Sequence, residues 1–317
     1  MQGLKEAKRS ILKAKDIVIL GHINPDGDSL GSLLSLGLGL KSMNKHTYLL
    51  SQDDLPLNYT SLPAADQIRK ELRKNLDLAI AVDCSTKEML GKNISVFKRA
   101  KTKLVIDHHR FGKIFGDIRF IDHKASATGE LIYILLRDLR IKITKEMAEN
   151  ILTSIIAETD SFKLPNTRSF TFSLCSELLK KGVNFPKLID RIYTTRSKES
   201  VILSGICLAR CKFLKDGQIV WSLIKGKDFS SVKGKHYDID LAINQMRSIE
   251  KVKIVVLFRE KDKKSLRVSL RSKGKINVAS IAERYNGGGH FDMAGCYIPN
   301  NKRSTREFLS LTEGLLK

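Results

Sequence analysis

Three apolar runs in this chain each end in side chains that bind cations. Asp16-Ile17-Val18-Ile19-Leu20 runs into the segment Gly21 to Ser32, which carries His22, Asp26 and Asp28. Leu76 to Val82 ends in Asp83, and Lys103-Leu104-Val105-Ile106 ends in Asp107-His108-His109. Short continuous apolar runs read as strands buried on both faces of a parallel sheet. The ends of such strands share one edge, which is where α/β proteins hold ligands. A fourth acid, Asp160, follows the apolar segment 151–157. One Asp after one strand is a turn former. Asp or His after every such run needs another explanation.

The alternation continues to about residue 180. The periods predict helices over 3–14, 29–42, 127–140, 145–158 and 169–181, and strands over 16–20, 47–51, 77–82 and 103–106. Strands alternating with helices predict a mostly parallel sheet covered on both faces. Residues 185–214 read as helical, and the texture changes after 216. Strands are expected over 218–224, 252–259 and 265–271, the last two joined by the polar turn Asp262-Lys263-Lys264. Helices are expected over 239–249, 277–285 and 304–316. The predicted organisation is an α/β domain over 1–184, a helical connector over 185–214, and a smaller α+β domain over 215–317.

Asp26, Asp28, Asp83 and Asp160 gathered on one edge would repel one another. Two divalent cations would neutralise four carboxylates. Oxygen ligands with one or two imidazoles suit Mn²⁺ or Mg²⁺ better than a thiolate-seeking metal. Two such ions activate water and clamp phosphate oxygens in phosphoryl transfer. Asp28 alone would serve equally as a helix-start residue. The whole set is not accounted for in that way.

His22-Ile23-Asn24-Pro25-Asp26-Gly27-Asp28, Asp83 after its strand, Asp107-His108-His109 and Glu158-Thr159-Asp160 resemble, in order and spacing, the four motifs of the DHH phosphoesterase family. Gly287-Gly288-Gly289-His290 resembles the signature of the DHHA1 domain found in one branch of it. The layout is similar to the nanoRNase/pAp-phosphatase type, and to stand-alone cyclic-di-AMP phosphodiesterases. The resemblance implies a first Mn²⁺ on His22 and Asp26 and a second on Asp28, His108 and Asp160, with Asp83 bridging. It implies that His109 faces the scissile phosphate and that Asp107 orients an imidazole. One departure stands out. The family's fourth motif commonly carries Thr-Gly after its acid, whereas Ser161-Phe162 follow Asp160.

Further residues are candidates for the substrate. Arg110 follows the His pair and could grip a second phosphate. Alternation along 265–272 places Arg267, Ser269 and Arg271 on one face. Gly287, Gly288 and Gly289 let backbone amides approach a phosphate closely, and by resemblance Arg271, with the stretch Gly287 to His290, holds a terminal phosphate. The expected activity is hydrolysis of short nucleotide substrates in a cleft between the domains. These would be short oligoribonucleotides cut to 5′-mononucleotides, or pAp cut to AMP, with a cyclic dinucleotide as the alternative.

The net charge of +22 is compatible with polyanionic partners. The lysines are dispersed, so no track for a long nucleic acid is evident. Five scattered cysteines argue against a disulfide framework. No apolar stretch reaches the roughly 18 residues a membrane span needs, and the N-terminus lacks an apolar signal core. A cytoplasmic protein, with a homodimer as one option, is the expectation.

Overall fold

The computed structural model of the chain describes residues 3–316 apart from 111, 114, 234–238 and 290, and apart from the side chain of 240. Two compact units divide it, Met1–Thr195 and Arg196–Lys317. The first opens with helix α1 (Leu4–Lys13), strand β1 (Asp16–Leu20), helix α2 (Gly27–Ser42) and strand β2 (His46–Leu50). Strands β3 (Ile68–Arg69) and β4 (Leu78–Val82), helix α3 (Ile94–Arg99), and strands β5 (Thr102–Asp107) and β6 (Ile118–Ile121) follow. Helices α4 (Thr128–Asp138), α5 (Lys145–Glu158), α6 (Ser169–Leu179) and α7 (Phe185–Tyr193) complete the unit.

The sheet runs β3-β2-β1-β4-β5-β6, and its strands pair in parallel. The chain leaves β1 toward β2 and returns to β4 on the other side. The order therefore reverses between β1 and β4, and that reversal opens a crevice beyond their C-terminal ends. Leu20 is level with Ala81, and Val82 with Ile106. His22 and Asp83 each stand two residues past a register partner, so they reach the same height above the sheet. Residues Leu78 to Val82 are buried throughout, which explains their lack of alternation.

Helix α2 is buried on nearly every face, because α5 crosses it closely. Gly31 makes that crossing possible: a Cβ there would lie 2.3 Å from the Asn150 carbonyl oxygen on α5. The contact ties the N-terminal turn of α2, which carries Asp28, to the helix that ends at Glu158.

The second unit contains helix α8 (Lys198–Ala209), strands β7 (Lys212–Leu214) and β8 (Ile219–Ile224), and helices α9 (Gly226–Val232) and α10 (Asp240–Ser248). Strands β9 (Ile254–Glu260) and β10 (Ser265–Ser272), helix α11 (Ala279–Arg284), strands β11 (Gly288–Gly289) and β12 (Met293–Pro299), and helix α12 (Lys302–Glu313) follow. The sheet order is β11-β12-β10-β9-β8-β7, antiparallel except between β8 and β9. The expected hairpin is β9–β10.

The predicted connector at 185–214 is corrected by the packing. Helix α7 buries Leu188 and Ile192 in the first unit's core, whereas α8 buries Leu203 and Cys207 in the second's. Helix α7 packs on α5, and α8 on β8, α9 and α10, so the segment is divided between the two units. All five cysteines are free thiols. Among the described residues no helix is long and apolar enough to cross a membrane.

Candidate metal centre

The turn from β1 into α2 is fixed by its own polar groups. Asp26 caps α2, its Oδ1 accepting from the amides of Asp28 and Ser29 at 3.0 Å each. The amide of His22 donates to Ser29 Oγ at 3.3 Å. His22 Nδ1 donates to the Ile23 carbonyl at 2.8 Å, since a carbonyl oxygen only accepts. Its Nε2, which offers a lone pair once the ring is neutral, faces Asp26 Oδ1 at 3.6 Å and Asp83 Oδ2 at 3.5 Å.

Asp83 is buried and has a φ of 58°, a left-handed backbone uncommon for a side-chain-bearing residue. The conformation ends β4 abruptly. Thr128 Oγ1 donates to Asp83 Oδ1 at 3.0 Å. Asp28 is equally buried, and its carboxylate is held from three elements. Ser32 Oγ on α2 and Ser154 Oγ on α5 donate to Oδ1 at 3.1 and 2.6 Å. The first amides of α4 supply the rest: Thr128 N–H to Oδ2 at 2.9 Å and Gly129 N–H to Oδ1 at 3.3 Å. A helix N-terminus is a natural seat for a carboxylate.

His108 donates from Nδ1 to the Ala125 carbonyl at 3.2 Å. Its Nε2 is buried and has no hydrogen-bond partner. Three carboxylates stand around that atom: Asp28 Oδ2 at 3.4 Å, Glu158 Oε1 at 3.7 Å and Asp83 Oδ1 at 3.9 Å. These separations exceed a hydrogen bond. They fit donors sharing one cation, since ligands about 2.1 Å from an ion stand roughly 3–4 Å apart. Among the described residues three sets lie close enough to hold an ion: His22 with Asp26 and Asp83, Asp28 with His108 and Glu158, and Asp83 with His108 and His109. Hard carboxylates plus imidazole match Mn²⁺ or Mg²⁺. The residues therefore fit the expected divalent pair.

Asp160 is absent from these sets. Its side chain is 40 % exposed and pairs with Lys163 at 3.4 Å. Helix α5 ends at Glu158, and Asp160 lies beyond it in a run of left-handed residues with φ of 45°, 56° and 66° for Asp160, Ser161 and Phe162. The acid that stands beside Asp28 and His108 is Glu158, two residues earlier. That shift also removes the apparent departure, because Thr159 then follows the acid. Asp160 takes the next place, with the positive φ that glycine adopts readily.

His109 donates from Nδ1 to Asp107 Oδ1 at 2.6 Å, and Asp107 Oδ1 also accepts from the His108 amide at 2.9 Å. Burial works against a charge on His109, yet the bond to Asp107 and the charges of Asp83 and Asp107 push it up to about 10. Burial likewise opposes His22, but Asp26 and Asp83 hold it well above its ordinary value. Burial lowers His108. It raises Asp28 and Glu158 well above the carboxylate range, with neighbouring acids adding to the effect. Burial would raise Asp83 too, but His22, His109 and His108 hold it below the usual range. Arg110 is exposed.

In the second unit, Arg267 on β10 stands level with Arg259 on β9 and Tyr297 on β12. Ser269 is buried and accepts from Arg259 Nη2 at 2.6 Å. Arg271 donates from Nη1 to the Leu270 carbonyl at 2.9 Å. Arg259 thus joins Arg267 and Arg271 on one face. The sequence reading missed it because Ile254 to Phe258 reads as an unbroken apolar strand with Arg259 as its terminal charge. Two of the three glycines have a packing reason. A Cβ on Gly287 would lie 2.2 Å from the Gly295 carbonyl oxygen, and one on Gly289, at φ 144°, would lie 2.3 Å from that of Met293. Gly288 alone faces open space. His290 lies outside the described residues.

The sequence reading also passed over Thr128, Ser154 and Glu158. The available signal was small polar residues breaking otherwise apolar helices, as Ser154 does within Ile151 to Ile156.

The comparisons agree with this geometry. The family model "DHH family, N-terminal domain" matches residues 16–157, and "DHHA1 domain" matches 231–317. The bifunctional oligoribonuclease and PAP phosphatase NrnA of Thermus thermophilus is 29% identical over 293 residues, covering 91% of this chain and 86% of that protein. The cyclic-di-AMP phosphodiesterase GdpP of Bacillus subtilis is 26% identical over 316 residues, covering 92% of this chain and 46% of that protein. The crystal structure of an exopolyphosphatase-related protein from Bacteroides fragilis superposes with a TM-score of 0.87 at 25% identity, covering 99% of this chain and 95% of that one. With two family models following one another along it, and the acids and imidazoles of the first gathered at the sheet's switch point, this chain belongs to the DHH/DHHA1 phosphoesterase family.

Proposed function

We propose that the chain hydrolyses phosphoester bonds in short nucleotides. It releases 5′-mononucleotides from very short RNA and phosphate from pAp. The observation that carries this reading is the buried Nε2 of His108, facing Asp28, Glu158 and Asp83 at 3.4–3.9 Å without a hydrogen bond. His22, Asp26 and Asp83 would hold one Mn²⁺, and Asp28, His108 and Glu158 a second, with Asp83 shared; Mg²⁺ suits the same donors. When bound, such a pair lowers the pKa of a water and draws charge from phosphate oxygens. The Ile23 and Ala125 carbonyls fix the tautomers that present both Nε2 atoms to the centre. His109 is kept cationic by Asp107, so its Nε2–H can donate to a phosphate oxygen. In the second unit, Arg267 and Arg271 on β10 offer donors to an anionic group.

The test is a set of steady-state rates with Mn²⁺ on pAp, di- to pentaribonucleotides, a 20-mer and cyclic di-AMP. We expect kcat/KM to peak between about two and five nucleotides. Arginine donors grip a chain end, and a longer strand adds no further end to grip. Processive degradation of the 20-mer at the dinucleotide rate would overturn the short-substrate reading. The likeness to GdpP over 92% of this chain favours one second reading, hydrolysis of cyclic di-AMP. A large preference for that compound over every linear substrate would put it first.

A further inference from the structure

Outside the ligand sets, the most heavily bonded buried acid described is Glu130, near the start of α4. It is fully buried and accepts four hydrogen bonds. Ser126 supplies two, its amide to Oε2 at 3.1 Å and its hydroxyl to Oε1 at 2.6 Å. Thr171 Oγ1 on α6 donates to Oε1 at 2.6 Å, and Arg168 Nη2 donates to Oε2 at 2.6 Å. Such saturation is what a buried carboxylate requires, and the guanidinium offsets its charge. None of these contacts is with the metal centre.

Their consequence lies in what Ser126 sits between. One residue before it, the Ala125 carbonyl orients His108. Two residues after it, Thr128 reaches both Asp28 and Asp83, and Gly129 reaches Asp28 again. Asn166 Nδ2 bridges the Ser126 carbonyl at 2.9 Å and the Glu158 carbonyl at 3.2 Å. The segment from Ala125 to Gly129, a short loop running into the first turn of α4, is thus bonded to the back of three candidate ligands and is tied to the fourth. A plain structural anchor between α4 and α6 would need only the bonds from Thr171 and Arg168. The two bonds to Ser126 hold the loop itself.

We propose that Glu130 is a positioning residue of the metal centre, holding the 125–129 loop so that Asp28, Asp83, His108 and Glu158 keep the spacing a divalent cation requires. This rests on the phosphoesterase reading above. Partners one layer behind metal ligands set affinity by fixing ligand orientation, typically by tenfold to a hundredfold, and Glu130 acts one layer further back through a single loop.

The experiment measures Mn²⁺ binding to the full chain by calorimetry, alongside kcat and KM on a dinucleotide. Glu130→Gln keeps the shape but replaces one acceptor oxygen with an amide that meets donors. The expected result is Mn²⁺ affinity weakened about tenfold or more, with kcat falling and KM within about twofold. Thr171→Val should weaken Mn²⁺ a few-fold, and Thr171→Ser should restore it; this pair decides the matter if Glu130→Gln does not fold. Unchanged Mn²⁺ affinity in Glu130→Gln and Thr171→Val, with only the melting temperature lowered, would overturn the inference alone. Wild-type protein that binds no Mn²⁺ would overturn both the inference and the function it rests on.

Discussion

The two units solve opposite electrostatic problems. In the first, Asp26, Asp28, Asp83, Asp107 and Glu158 crowd round three imidazoles at the edge of a parallel sheet. In the second, Arg259, Arg267 and Arg271 share a face of a mixed sheet. Like charges opposite one another on strands are unfavourable, as are acids buried together. Each arrangement becomes favourable with a counter-charge: cations for the acids, phosphates for the guanidiniums. The acids are held rigidly, by helix amides, serines and a threonine. Among the arginines, Arg267 and Arg271 remain only half buried. The comparison supports the proposed division of labour, with ion binding in one unit and anion recognition in the other.

The harshest way to break that comparison is to remove the shared acid. Asp83 faces the Nε2 of His22 at 3.5 Å and that of His108 at 3.9 Å, so Asp83→Ala should strip both ions. Activity should fall by at least about a hundredfold, beyond what the loss of an outer partner costs. Elemental analysis and turnover check it together: near-normal turnover without bound metal would end the two-metal account. Glu158→Gln should be the next most damaging, lowering affinity at the Asp28–His108 set by at least about tenfold.

Arg271→Ala probes the other side. Loss of a charge-assisted hydrogen bond costs roughly 1.5–3 kcal/mol, or about one to two decades in KM. Bound Mn²⁺ should be unchanged. If the variant instead lost metal, the division between the units would fail.

Much of this was legible before the structure, for a definite reason. Strands β1, β4 and β5 are buried on both faces, so their sequences are unbroken apolar runs, and the polar residues that end them stand out. The edge strands β3 and β11 are two residues each and carry no such pattern. Glu158 escaped because it ends a helix. A helix boundary is uncertain by a residue or two, and Asp160 offered the same chemistry within that margin. The Glu130 contacts escaped because they join 126, 130, 168 and 171, a proximity created by tertiary packing rather than by any local period.

Acidity offers a finer probe. In the metal-free centre, burial raises Asp28 and Glu158, and the surrounding carboxylates raise His22. These groups hold protons more tightly than in an unfolded chain, whereas the ion binds carboxylate and neutral imidazole. Binding therefore expels protons, and affinity should rise with pH by about one decade per unit for each proton released. Asp83 is held below the usual range and contributes none. Calorimetry in buffers of differing ionisation enthalpy counts the protons. An affinity flat from pH 6 to 8 would show that the neighbouring carboxylates and imidazoles do not store them.

The smallest expected effect separates two acids two residues apart. Asp160 is well exposed and pairs with an exposed lysine at 3.4 Å, an interaction worth about 0–1 kcal/mol at most. Its backbone is left-handed, a conformation Asn tolerates about as well as Asp. Asp160→Asn therefore removes a charge without adding strain. Mn²⁺ affinity should stay within about twofold of wild type, and kcat should follow it. Asp160→Gly should relieve the φ of 45° and leave the protein as stable or slightly more so. The contrast with Glu158→Gln is the point of the pair. Both remove one negative charge from the same segment, so a long-range field would weaken metal binding in both by similar amounts. A ligand contact weakens it only at Glu158. Equal losses in the two variants would show that the acids act through their summed charge, and the assignment of Glu158 as the donor beside His108 would fall.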